Sequence, residues 1–171
     1  LDRLYGRNAR FLSAAELSTA GSGTLSSEIL HFAGHSIVRD GNPCLVVHAG
    51  SGATALDPET ISSWRLRANR LVNLSGCETG TGPQAGGGTP WGLVPAFLNA
   101  GAPALVVSLL PVTDSSTRKM NARFYELLSG GSVSKASALR QAQLSILSSE
   151  RSTGRVNPAS WIPYVLVGDP R

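Results

Sequence analysis

The run Ala104-Leu105-Val106-Val107-Ser108-Leu109-Leu110 constrains this chain more than any other stretch. It is continuously apolar, with no alternation, which is the pattern of a strand buried on both faces, and Pro111 stops it. Ile29 to Ala33 and Leu71 to Ser75 share the pattern. Helix signals stand around these runs. Asp57-Pro58 is a cap followed by proline and predicts a helix to about Arg67. Thr89-Pro90 repeats the signal and predicts a helix through Phe97 and Leu98, with Pro95 kinking or breaking it and Gly101 as its C-terminal cap. Asp114 is placed to cap a helix carrying Met120, Phe124, Leu127 and Leu128 on one face, ended by Gly130-Gly131. Ser134 is placed to cap another, with Ala138, Ala142 and Ile146 along a stripe, and Trp161 to Val167 is the last strand. Strands alternating with helices predict an α/β fold whose mostly parallel sheet is covered on both sides.

Two shorter elements flank this frame. Ser13-Ala14-Ala15-Glu16 has capping-box spacing and predicts a short helix. Cys44 to His48 is a second apolar run followed by Gly50, Gly52 and a polar turn, which suits one arm of a hairpin. With 171 residues, 42% of them apolar, the chain buries one substantial core, so residues 1–171 are expected to form one domain. No run reaches membrane-spanning length, and the start lacks the basic and apolar regions of a signal peptide. Two cysteines, Cys44 and Cys77, could pair, but two thiols fit a cytoplasmic protein slightly better than a secreted one. The formal charge is +4, from thirteen arginines and two lysines against eleven acids. These basic residues are scattered and lack interleaved aromatics, which argues against direct nucleic-acid binding. Arg65, Arg67 and Arg70 suit a helix C-terminus, where cations oppose the dipole.

Chemistry concentrates at two strand ends. Ile29-Leu30-His31-Phe32-Ala33-Gly34-His35 finishes in an imidazole, and Leu71-Val72-Asn73-Leu74-Ser75-Gly76-Cys77 finishes in a thiol. If the two strands are parallel neighbours, both groups reach one rim of the sheet, where open α/β folds place their sites. An imidazole beside a thiol helps generate the thiolate that attacks carbonyls. Strand alternation gives His31 to a sheet face as a packing residue and leaves His35 as the catalytic candidate. The backbone amides of Ser36 and Cys77 are candidate oxyanion donors. The loop after Cys77, Glu78 to Gly88, holds five glycines and one proline.

Other chemistries fit less well. Gly80-Thr81-Gly82 and Gly86-Gly87-Gly88 match neither a P-loop nor a dinucleotide fingerprint, and Pro83 removes one donor. Ser75-Gly76-Cys77 is not a nucleophile elbow. His31 and His35 have i,i+4 spacing, which ligates metal on a helix but not on a strand, so no metal site and no cofactor are expected.

Several ordered blocks carry a family resemblance: residues 29–35, Leu74-Ser-Gly-Cys-Glu-Thr-Gly80, 92–102, Val107-Ser-Leu-Leu-Pro-Val-Thr-Asp114, 138–143 and the closing 161–169. Together they resemble the CHAT domain, a branch of the caspase-like cysteine peptidases related to separases and often appended to tetratricopeptide repeats. The resemblance spans residues 3–169. It implies a caspase-like three-layer sandwich and a His–Cys dyad at His35 and Cys77. It further implies that the family's first strands lie before Leu1 or come from another chain. A protein or peptide substrate and an upstream, repeat-containing regulatory region are the partners it implies. Separase-like relatives imply a basic residue before the cut and hence an acidic pocket, with Glu78 and Asp114 as candidates. Asp114 as a helix cap and Asp40 as a solvated turn are the plainer alternatives. This chain departs from the family in having Ser36 where glycine is usual, and Gly88-Thr89 where Glu-Gly is common. The rival to a cysteine endopeptidase is a catalytically silent interaction domain on the same fold.

Overall fold

The computed structural model describes residues 5–18, 25, 27–49, 52–75 and 92–171. Within them, strands β1 (Ile29–Phe32), β5 (Leu71–Leu74), β6 (Ala104–Ser108) and β7 (Tyr164–Gly168) form one sheet in the order β1-β5-β6-β7. The first three run parallel, and β7 closes the edge antiparallel to β6. Strands β2 (His35–Arg39), β3 (Asn42–Ala49) and β4 (Gly52–Leu56) form a separate antiparallel sheet. Five helices complete the architecture: α1 (Ala14–Ser18), α2 (Pro58–Ser62), α3 (Val94–Asn99), α4 (Asp114–Ser129) and α5 (Lys135–Ser152).

Alternation along each central strand divides the interior into two cores. Val72, Leu74, Leu105 and Val107 face Ile61, Trp64, Phe97 and the inner residues of the small sheet. Leu71, Ala104 and Val106 face Met120, Phe124, Tyr125 and Leu128 of α4 with Ala138, Leu139 and Ala142 of α5. A central strand buried on both sides must be apolar throughout, and β6 is fully buried. The expected α/β fold with a mostly parallel sheet is thus borne out.

Local signals explain the element boundaries, with several shifts from expectation. The capping box at Ser13 is present: its amide donates to Glu16 Oε2 at 2.8 Å and its Oγ accepts from the Glu16 amide. Arg10 also pairs with Glu16. Asp57 caps α2 by accepting from the Thr60 amide at 2.7 Å. That helix ends at Ser62, not Arg67, because Trp64 and Leu66 turn inward to the core. Arg65, Arg67 and Arg70 therefore do not sit on its last turn. Thr89 and Pro90 lie outside the described residues, and α3 begins at Val94 with Pro95 in its first turn. A proline there has no intrahelical bond to break, so the expected kink does not arise. Thr113, not Asp114, caps α4, accepting from the Ser116 amide at 3.2 Å. Asp114 instead follows as the acid of the first turn, where it faces the positive dipole end. Ser134 caps α5 as expected. The last strand starts at Tyr164, since Pro158–Ser160 forms a 3-10 turn first.

Gly168 ends β7 at φ +97°, opposite Ala104. A Cβ there would collide with the Pro103 carbonyl oxygen, a backbone atom that cannot swing away. Gly168→Ala is therefore expected to destabilise the fold by at least about 2 kcal/mol, combining the positive φ with the clash. Urea unfolding of the two proteins measures the difference.

Candidate active site

β1 and β5 pair in parallel, with Ile29 opposite Leu71 and Phe32 opposite Leu74. The Ser75 amide then donates to the Phe32 carbonyl at 2.8 Å, carrying the ladder one step past the strands. At the other end, the Arg70 and Leu71 amides both donate to the Glu28 carbonyl, and Asn69 Nδ2 donates to the Ser27 carbonyl. The pair is pinned at both ends, which leaves no freedom to slip. Every partner pair is separated by 42 positions (29 and 71, 32 and 74), and His35 and Cys77 are separated by the same interval. Cys77 and Glu78 lie outside the described residues.

His35 does not finish β1. That strand ends at Phe32, and after a two-residue bend His35 opens β2, opposite Val46 of β3. A Cβ at Gly34 would stand 2.9 Å from Phe32 Cζ, so any other residue in the bend would push that ring aside. The imidazole is exposed. Ser36, whose amide is the second oxyanion candidate, follows on β2 opposite Leu45. Asp40 and Gly41, at φ 51° and 78°, form the two-residue hairpin turn between β2 and β3. The Cys44 to His48 run is indeed a hairpin arm. Cys44 itself is a buried free thiol whose pKa burial pushes up, and it is therefore a poor nucleophile.

His35, Ala33, Gly34 and Ser75 line a cavity of about 1340 Å³ together with His31, Asp114, Asn121 and Tyr125. Asp114 is thus brought to the same cavity as His35, although it is not the helix cap. Beneath the rim lies a polar cluster that sequence patterns did not reveal. Asn73, only 1% exposed, donates through Nδ2 to the Tyr125 hydroxyl and to Asn121 Oδ1, each at 2.9 Å. Asn121 Nδ2 donates to Ser75 Oγ at 2.7 Å, and Ser75 Oγ donates back to Asn73 Oδ1 at 3.3 Å. His31 Nδ1 lies 2.7 Å from the Tyr125 hydroxyl. That hydroxyl accepts from Asn73 and shares a second hydrogen bond with His31, whose direction follows the imidazole tautomer. Burial pushes the His31 pKa down to about 4 and the Tyr125 pKa well up, so both stay uncharged at neutral pH. His31 is the packing histidine expected from strand alternation. The available signal for the cluster was one amide inside an apolar strand, Asn73, and Asn121 four residues before Tyr125 on one helix face.

A mostly parallel sheet between helical layers, with an imidazole at the rim of two adjacent strands, is the architecture of a caspase-like α/β sandwich. The family model described as CHAT domain matches residues 6–169, and the chain belongs to that family. Separin from Emericella nidulans is 42% identical over 65 residues, covering 38% of this chain. The match is only 3% of that relative's length. The likeness to separin supports a relation between this family and the caspase-like group. No helix among the described residues is long and apolar enough to cross a membrane.

The His31 shift has a consequence for stability. The unfolded chain takes up its proton near the ordinary value of 6.5, while the folded protein resists it down to about 4. Between these values the unfolded state binds more protons, so stability present above pH 6.5 is lost as pH falls toward 4. From pH 7 to pH 5 the expected loss from this one group is about 2 kcal/mol. Urea unfolding at the two pH values, compared with His31→Gln, should show that much less loss in the variant.

Proposed function

We propose that this protein is a cysteine endopeptidase that cleaves a protein substrate through a dyad of His35 and Cys77. The observation that carries the reading is that His35 lines one cavity with Ser75, the residue two positions before Cys77 in the chain. Membership of the CHAT domain family supports it. In the proposed reaction the Cys77 thiolate attacks the scissile carbonyl carbon, and the amides of Ser36 and Cys77 stabilise the oxyanion. The C–N bond breaks as the His35 imidazolium gives its proton to the departing amine, leaving a thioester. His35 then takes a proton from water, whose oxygen attacks the thioester, and Cys77 leaves as thiolate.

Asp114, which lines the same cavity as His35 beside Arg118, Lys119 and Arg123, is the first acidic candidate for recognising a basic residue before the cut, and Glu78 is the second. We further infer that residues 1–171 form the major C-terminal part of one peptidase domain. A companion strand would add beside β1, the edge strand of the described sheet. Restraint would come from an upstream or separate regulatory region, such as tetratricopeptide repeats, in the cytoplasm.

Cleavage of a diverse peptide library by the intact protein tests the reading. Cys77→Ala and His35→Ala should each lower cleavage by about 1000-fold or more. No cleavage by the unaltered protein, together with a Cys77 inert to alkylation, would instead support a silent interaction domain. Asp114→Asn should lower kcat/KM for peptides with Arg or Lys before the cut by about 10- to 100-fold, the value of one charge-assisted hydrogen bond. It should leave neutral peptides nearly unaffected.

A further inference from the structure

The cluster of Asn73, Ser75 and Asn121 holds more polar chemistry than the packing of β5 on α4 requires. Its three hydrogen bonds close a ring: Asn73 Nδ2 to Asn121 Oδ1, Asn121 Nδ2 to Ser75 Oγ, and Ser75 Oγ to Asn73 Oδ1. Asn73 is otherwise surrounded by a fully buried apolar strand, Leu71–Leu74. An apolar residue at 73 facing an apolar residue at 121 would fill that space without the desolvation cost of two amides. What such a substitution would lose is direction. A side-chain amide ring fixes where Ser75 Oγ stands and therefore the backbone angles with which the chain leaves the sheet. The Ser75 amide is separately tied to Phe32 of β1, so the exit of β5 is held both by the neighbouring strand and by the helix beneath. Residue 77 follows two positions later in the chain, and Ser75 and Asn121 line the same cavity as His35.

The geometry points to Asn73, Ser75 and Asn121 as positioning residues for the acyl transfer, a ring that fixes how the chain leaves β5 at Ser75, two positions before the proposed nucleophile. The inference rests on the peptidase reading above. They would act through the backbone of the strand end. The ring also links outward, because Asn73 Nδ2 donates to the Tyr125 hydroxyl and so joins it to neutral His31.

The test is the pH profile of Cys77 alkylation by iodoacetamide, with Cys77→Ala correcting for Cys44. Ser75→Ala removes one corner and keeps the Asn73–Asn121 bond, and Ser75→Thr keeps the hydroxyl. In the unaltered protein the thiol should titrate below its ordinary value of about 8.5, as an imidazole-paired thiol does. Ser75→Ala should raise that apparent pKa by about one unit, slowing alkylation at pH 7 about tenfold. It should lower kcat on cleaved peptides by a similar factor with KM nearly unchanged. Ser75→Thr should stay within about twofold of the unaltered protein, a rescue that a mere packing role would not show. Asn121→Ala should match Ser75→Ala; if it fails to fold, the two Ser75 variants decide. A Ser75→Ala profile that overlays the unaltered one overturns the positioning role while leaving the peptidase reading intact. An ordinary thiol profile already in the unaltered protein overturns the peptidase reading and the positioning role with it.

Discussion

The parallel pairing of β1 with β5 is the constraint on which the rest of this structure depends. Both strands are short, four residues each, so their backbone bonds alone hold them weakly. Register is specified by burial: β5 is covered on both sides, and a slip of one residue would send Asn73 into the apolar core around Phe97 and Leu105. The pins at Glu28 and Phe32 then hold the two strand ends level. His35 can stand at the rim because β1 stops where β5 stops.

Burying amides under that rim is costly unless every group is paired. Asn73 resolves this by using both its protons and its oxygen within the cluster, and Tyr125 and His31 complete the pattern as neutral groups. The same low-polarity setting that penalises an unpaired amide strengthens the paired ones. It also leaves His31 uncharged at neutral pH, since burial pushes its pKa down to about 4. Two histidines four positions apart thus sit in different surroundings, one partly buried and one exposed.

Much of the architecture was legible because its signals are local. A fully apolar seven-residue run bounded by proline has few alternatives to a buried strand, and Asp57 and Ser134 cap helices through their own side chains three residues on. Where the structure differs, the cause is a tertiary contact in one case and local signals in the others. Trp64 and Leu66 left helix α2 to reach the core, and Thr113 displaced Asp114 as cap since both carry a side-chain acceptor one position apart. β2 went unread although Asp40-Gly41 is a strong hairpin signal, because Ser36 to Arg39 shows little burial pattern of its own.

The sequence by itself determined the class of fold, the order of its layers and the candidate pair His35 and Cys77, because periodicity, caps and strand-end residues are properties of neighbours along the chain. Only the tertiary structure decided that β1 and β5 are adjacent and in register, that Asp114 shares a cavity with His35, and that Asn73 closes a ring with Ser75 and Asn121. Those facts join residues 42 to 79 positions apart (29 and 71, 73 and 121, 35 and 114), and no local rule reaches that far. Side chains at such distances meet only after the sheet and its covering helix have packed, when burial obliges every enclosed polar atom to find a partner.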